Sequence, residues 1–355
     1  MTTIELNSDV RAFSGRLLGL YSGALISAMI DVGQRTGLFE AAARGAATSA
    51  ELAERAGLHE RYVREWLGSM VTSGIVDYEP ADRNYRLPEA HAACLTGSGP
   101  GNLAPLSRFN THLTEHVGEV ARAFRDGGGV PYAAYQPDFT DVMDAASRGG
   151  FDGELVQAWV PLAPGLSGAL ESGARVADVA CGSGHALVVL GRAFPRSTFV
   201  GYDRSQPAIA RARAEAAEAG LTNVSFRVQD VAQLSADDVF DVVFVFDAIH
   251  DQAAPQAVLD GIFHALARGG RFVMKEPRVS SNLQDNIGNP LAPVVYAVST
   301  LHCLTVSLAE GGAGLGTAWG EQTARRMLAE AGFGDVVVHD VPTDPMDAIF
   351  VTTRP

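Results

Sequence analysis

The chain is almost without lysine. Lys275 is the only one, and every other fixed positive charge is an arginine. Basic residues are outnumbered, 27 Lys+Arg against 41 Asp+Glu, for a formal net charge of −14. That balance excludes a broadly basic face and argues against nonspecific nucleic-acid binding, although a local basic patch stays open. Cysteine is scarce as well. Cys94, Cys181 and Cys303 are far apart, with no CxxC pair. Neither a disulfide framework nor a zinc site is indicated, and a reducing cytoplasm fits. The N-terminus lacks the basic start of a signal peptide, since Glu5 and Asp9 are its first charges. A long hydrophobic run is also missing. The longest, Leu17 to Ile30, is broken by Gly, Ser and Tyr and stops at Asp31. It is too short to span a bilayer, which takes about 20 apolar residues, and reads as a core or dimer helix. No internal repeat or low-complexity tract stands out.

What remains is an ordinary globular composition, 47% hydrophobic and 19% charged, over 355 residues, a length that suggests two domains. Residues 10–33 read as one long helix. Thr48-Ser49-Ala50-Glu51 is a helix start with Thr48 or Ser49 as cap, and Gly57 ends that helix. A second helix runs from Glu60 to Thr72. Ile75–Tyr78 and Asn84–Leu87 then read as two short strands around the turn Glu79-Pro80-Ala81-Asp82. Helix, tight turn, helix and hairpin is the order of a winged helix-turn-helix. Residues 97–170 read as a connecting helical region with a loop at 126–129. From 174 onward, apolar runs of strand length (175–180, 198–202, 224–228, 241–246, 271–275, 335–340 and 347–352) are spaced by helical stretches such as 206–219 and 255–267. This predicts an α/β fold with a parallel sheet, the last two strands forming an antiparallel hairpin across the loop 341–345.

The run DVACGSGHA, residues 178–186, ends a strand, makes a glycine turn and starts a helix. Gly182 and Gly184 let a ligand approach the backbone beside a helix N-terminus. A dinucleotide fingerprint would want a third glycine at 187, where Leu187 stands. The next strand ends at Asp203, a carboxylate able to accept from both hydroxyls of a ribose. The third is followed by Asp230, which can accept from an adenine amino group, and by Val231, whose amide can donate to a ring nitrogen. The fourth delivers Asp247-Ala248-Ile249-His250-Asp251. Open α/β sheets bind ligands at such strand ends.

The ordered set DVACGSGHA, GYD, QDV, FDVVFVFDAIHD and ALARGGRFVMKEP resembles class I S-adenosylmethionine-dependent methyltransferases over residues 174–355. The resemblance implies a seven-stranded Rossmann-like sheet whose last strand inserts antiparallel. It implies that Asp203 holds the ribose, that Asp230 and Val231 meet the adenine, and that Ala180 and Gly182 lie against the methionyl part. Gly184 and Asp247 complete the expected cofactor set. Ala180 replaces the usual first glycine of the loop. The absence of a [DNS]PP[YFW] motif after the fourth strand disfavours base amino groups as acceptors. Instead, Ile249-His250-Asp251 resembles the HD dipeptide of small-molecule O-methyltransferases that carry an N-terminal winged-helix dimerisation domain, and the pattern is also similar to actinobacterial methyltransferases. His250 is then the expected general base, with Asp251 or a backbone carbonyl orienting its ring. Gln252 stands where that family often has Trp.

The organisation expected is therefore 1–96 as winged-helix dimerisation domain, 97–170 as helical linker and acceptor-pocket cover, and 171–355 as S-adenosylmethionine-binding domain. The function expected is methyl transfer to a small, largely apolar molecule at a hydroxyl, by a cytoplasmic homodimer that uses no metal and no membrane. Tyr296 and His302, in the insert 280–320, are candidate acceptor-pocket residues, with packing as the alternative. His112-Leu113-Thr114-Glu115-His116 matches a zinc-peptidase pattern, but no acidic third ligand follows. A transcriptional regulator is a competing reading, with Arg61 and Arg64 on the recognition helix. Residues 1–96, however, hold nine Arg against twelve Asp+Glu, too little positive charge for DNA. A cofactor-binding but catalytically silent protein is a third reading.

Overall fold

A computed structural model describes residues 8–234, 239–341 and 344–355, so Glu5 and part of the 341–345 loop lie outside the described residues. The chain divides into two compact units, Met1–His112 and Leu113–Pro355.

The first unit opens with the helix Ser8–Arg35, 28 residues long. Its apolar side chains Phe13, Leu18, Leu20, Tyr21 and Leu25 are all exposed. The helix continues past the apolar run at both ends, so the length argument against a membrane span does not hold. By length and composition it qualifies, as does the helical run 292–309. Near its end Gly33 is required by packing, because a Cβ there would lie 2.6 Å from the Phe39 ring and 2.7 Å from Trp66. Trp66 donates its indole N–H to the Met29 carbonyl at 2.8 Å. Helix Ser49–Ala56 begins with a reciprocal capping box. The Thr48 hydroxyl accepts from the Glu51 amide, and the Glu51 carboxylate accepts from the Thr48 amide. Gly57, at φ 67°, ends it, and helix Glu60–Thr72 follows. Strands β1 (Asp77–Glu79) and β2 (Asn84–Arg86) form the expected antiparallel hairpin. Phe39, Leu52, Val63, Trp66, Leu67 and Met70 fill the core.

The second unit is built on seven strands: β3 (Arg175–Val179), β4 (Thr198–Asp203), β5 (Val224–Val228), β6 (Phe240–Phe246), β7 (Leu266–Pro277), β8 (Val337–Val341) and β9 (Asp344–Thr353). Their order is β5-β4-β3-β6-β7-β9-β8. The first five run parallel, and β9 inserts antiparallel between β7 and β8. Strand β6 shows why the run is apolar throughout. Val243 and Val245 face one core with Val258 and Leu328, while Val242 and Phe244 face the other with Leu187 and Leu155. The strand order reverses between β3 and β6, the place where open α/β sheets hold their ligands.

Two further helical stretches matter for the site. A continuous rod runs through helix Asp138–Gly150 and the π-helical turn Phe151–Trp159. Helix Ala292–Val298 likewise continues through a π-helical turn, Ser299–Cys303, into helix Leu304–Ala309. Such π turns often sit at functional places.

Candidate functional site

The ends of β3 and β6 carry unusual backbone. Ala180 (φ 63°) and Asp247 (φ 53°) are non-glycine residues in the left-handed region, one at each side of the switch point. Conformations of this kind cost about 1–3 kcal/mol each and cluster at ligand sites. Gly184 begins helix His185–Ala193 at φ 74°, and a Cβ there would lie 2.8 Å from the Ala212 Cβ, so this glycine serves packing as well as the turn. Gly182 (φ 53°) has open space where its Cβ would point. The glycines thus divide their work, Gly184 closing the loop onto the sheet and Gly182 leaving room above it.

Asp203 ends β4 and ties the loop down. One carboxylate oxygen accepts from the Gly182 amide at 2.9 Å and the other from the Ser205 amide at 2.7 Å. Burial raises its pKa, and these two amides partly offset that rise. A carboxylate offers about four acceptor positions, so two remain for a vicinal diol. Beneath it in β3, Asp178 is fully buried, with its Oδ1 unpartnered; burial, and then the neighbouring Asp203 charge, push its pKa well up. Asp230 is exposed and caps the short turn Val231–Gln233, accepting from the Ala232 amide at 3.0 Å, while Val231 is buried. Asp247 accepts from the Lys275 ammonium at 3.0 Å. That single lysine also meets Asp344 and Asp347 and lies 5.6 Å from the centre of the Trp159 ring.

His250 follows the end of β6 and is 4% exposed. Its Nδ1 is paired with Glu276 Oε2, while Glu276 Oε1 accepts from the Ile249 amide at 3.0 Å. The Trp319 indole N–H also donates to Glu276 at 3.2 Å. Glu276, fully buried at the end of β7, is therefore the orienting group, in place of the expected Asp251 or backbone carbonyl. Burial alone would lower the imidazole pKa, but the Glu276 carboxylate and the Cys303 thiol outweigh it and raise it well above the usual value. Asp251 turns to Gln252, whose amide donates to it at 2.9 Å, and burial pushes its pKa up to about 6. Sequence reasoning missed Glu276 because it is 26 residues from His250; the signal was there in the EP that ends the fifth strand.

The insert residues differ in setting. The Tyr296 hydroxyl accepts from the Asn286 amide at 3.1 Å. His302 is buried and stacked on Phe139 with centroids 4.0 Å apart, and Tyr135 closes the cluster at 4.7 Å. In the HxxEH run, the His116 ring packs 4.2 Å from Tyr135. Among the described residues, no group of three or more His, Cys, Asp or Glu is placed to hold a metal ion. On helix Glu60–Thr72 both arginines are engaged within the helix, Arg61 with Glu65 at 2.5 Å and Arg64 with Glu60 at 3.4 Å.

Comparison with known proteins agrees with this division. Residues 24–97 match an Rv2258c-like winged HTH domain, and residues 170–332 match a methyltransferase domain. A trans-aconitate 2-methyltransferase of Variovorax paradoxus is 29% identical over 131 residues, which make up 37% of this chain and 46% of that protein. The chain thus spans less than half the length of that curated relative. The mitomycin 7-O-methyltransferase structure superposes with a TM-score of 0.72 at 19% identity, covering 98% of this chain and 100% of that one. Human N-acetylserotonin methyltransferase, solved with S-adenosylmethionine, gives 0.69 at 17% identity, covering 100% and 99%. At such identities the likeness is one of fold. The chain thus joins a winged HTH domain to a methyltransferase domain and shares the fold of these methyltransferase structures.

Proposed function

We propose that this protein transfers the methyl group of S-adenosylmethionine to a hydroxyl of a small, largely apolar acceptor. The observation that carries this reading is the buried His250–Glu276 pair at the same strand ends as the glycine loop. When bound, S-adenosylmethionine supplies an electrophilic methyl on a sulfonium. The residues present suit it. Asp203 has free acceptor positions for the ribose hydroxyls, Gly182 leaves space for the methionyl part, and Ala180 and Gly184 shape the loop. Asp230 and the Val231 amide are proposed for the adenine, and Asp247 for the rim between cofactor and acceptor.

Glu276 engages Nδ1 of His250, and the Cys303 thiol also hydrogen-bonds the ring, so the acceptor hydroxyl is proposed to replace that thiol at Nε2. The neutral ring, which the raised pKa favours only toward higher pH, would take the hydroxyl proton at Nε2 while the acceptor oxygen bonds the methyl carbon and the carbon–sulfur bond breaks. The products are a methyl ether, a neutral thioether and an imidazolium held by Glu276. Tyr296 and His302 are proposed for the acceptor side, where aromatic lining suits a flat molecule. The exposed apolar helix Ser8–Arg35 is read as the interface of a cytoplasmic homodimer. The internally paired Arg61 and Arg64 count against the DNA-binding alternative.

The test is His250→Ala, assayed against a panel of small phenols by release of S-adenosylhomocysteine. Turnover falls about 10²–10⁴-fold with cofactor affinity unchanged. Parental turnover of every accepted phenol removes His250 from the chemistry.

A further inference from the structure

The glycine loop is bound to the helical rod 138–159 by a polar network that the proposed chemistry leaves unused. Arg148 makes two forked pairs, to Asp144 at 2.9 and 2.9 Å and to Glu215 at 2.9 and 3.0 Å. Asp144 accepts from the Ser183 hydroxyl, inside the loop, at 2.7 Å. His185, the first residue of the following helix, is 5% exposed. Its Nε2 lies 2.9 Å from Asp152, and its Nδ1 lies 2.6 Å from Glu215 and 2.7 Å from Arg148. A second ion pair, Asp141 with Arg211, joins the rod to helix Gln206–Glu218. The groups facing His185 are thus Arg148 and Asp152 on the rod and Glu215 on helix Gln206–Glu218, with Asp144 behind Arg148.

The imidazole has two ways to fill these places. Protonated, it donates to both carboxylates, Nε2 to Asp152 and Nδ1 to Glu215. Neutral, it donates only through Nε2, and Nδ1 turns acceptor toward Arg148. One proton therefore changes the partner of Nδ1 from a cation to an anion without moving the ring. Forked Arg–carboxylate pairs fix geometry as well as charge, so the rod and the loop are held in one relative position.

We propose that Arg148 and His185 are positioning residues for the glycine loop. Through Ser183 and the start of the helix at 185, they make the loop's grip on its ligand depend on the rod and on the imidazole that bridges Asp152 and Glu215. The inference rests on the reading that this loop holds S-adenosylmethionine. Neither residue is placed against the reacting atoms.

Two measurements test it. The first is hydrogen exchange on the ligand-free full chain. Arg148→Gln and the milder Ser183→Ala should speed exchange in peptides spanning 181–193, with those from β9 unchanged. The second is calorimetry with S-adenosylhomocysteine. Arg148→Gln should weaken binding about 3- to 30-fold, the range of coupling through packed networks, and Arg148→Lys should recover only part of it. His185→Gln, which cannot bridge Asp152 and Glu215 as the ring does, should weaken binding over the same range. Unchanged exchange at 181–193 in both Arg148→Gln and Ser183→Ala, or unchanged affinity in both Arg148→Gln and His185→Gln, overturns the proposal. A parent that does not bind S-adenosylhomocysteine overturns the reading of the site instead, and the exchange data still judge the tie.

Discussion

Glu276 sends one carboxylate oxygen to the ring of His250 and the other to the amide of Ile249. A single buried group at the end of β7 therefore fixes both the backbone and the side chain that close β6. Replacing it by glutamine keeps the shape and removes the charge. In Glu276→Gln the burial of His250 is no longer outweighed by a carboxylate, so its pKa falls. The acid limb of the pH–rate profile should move to lower pH, and the plateau rate should drop about 10- to 100-fold through loss of the oriented base. The linkage runs the same way. A raised folded-state pKa gives stability that is full below about pH 6.5 and fades as pH rises through the folded value, so the parent's advantage in melting temperature should shrink as pH rises. A pH–rate profile unmoved in the variant contradicts the pairing.

Asp178 carries the same sign in a lower pH window. Its folded pKa is raised, so the native state resists its ionisation and loses stability as pH climbs above about 4. Asp178→Asn removes that buried charge. The variant should melt higher than the parent at pH 8, by about 2–4 °C for each kcal/mol gained, and the difference should narrow as pH falls toward 4. Thermal scans across that range check it, and a difference that does not change with pH is the contrary result.

The helix Ser8–Arg35 exposes Leu18 and Leu25 at 67% and 71%. So much apolar surface on one helix is expected to be covered by a second copy through a two-fold contact. Light scattering of the full chain at micromolar concentration should give a dimer, and the double variant Leu18→Glu, Leu25→Glu a monomer. A monomeric parent removes the dimer from the account.

Periodicity and punctuation made most of the fold legible. Thr48 and Gly57 marked the winged module, and the alternation of apolar runs with helices marked the sheet. The strand-end residues Asp203, Asp230 and Asp247 stood out because four consecutive strands each delivered a polar group. What stayed hidden came from packing between distant segments. Glu276 reads as an ordinary strand-end acid until β6 and β7 lie side by side. Arg148 and Glu215, 67 residues apart, meet only because two helices cross over the loop. His302 carried both a pocket and a packing reading, and its place against Phe139 appears only in the fold. The first helix was legible at nearly its full length, 10–33 against Ser8–Arg35, while the bilayer argument weighed only its apolar run 17–30.

The central claim is that the glycine loop and Asp203 hold S-adenosylmethionine. Asp203 joins the loop to β4 through Gly182 and keeps acceptor positions for a ribose. Titration calorimetry of S-adenosylhomocysteine into the parent and into Asp203→Ala tests this most directly. The parent should bind S-adenosylhomocysteine and not NAD, and the variant should bind more weakly by about 1.5–3 kcal/mol, the scale of hydrogen bonds to a charged group. Equal affinity in parent and variant, or preference of the parent for NAD, would contradict the account.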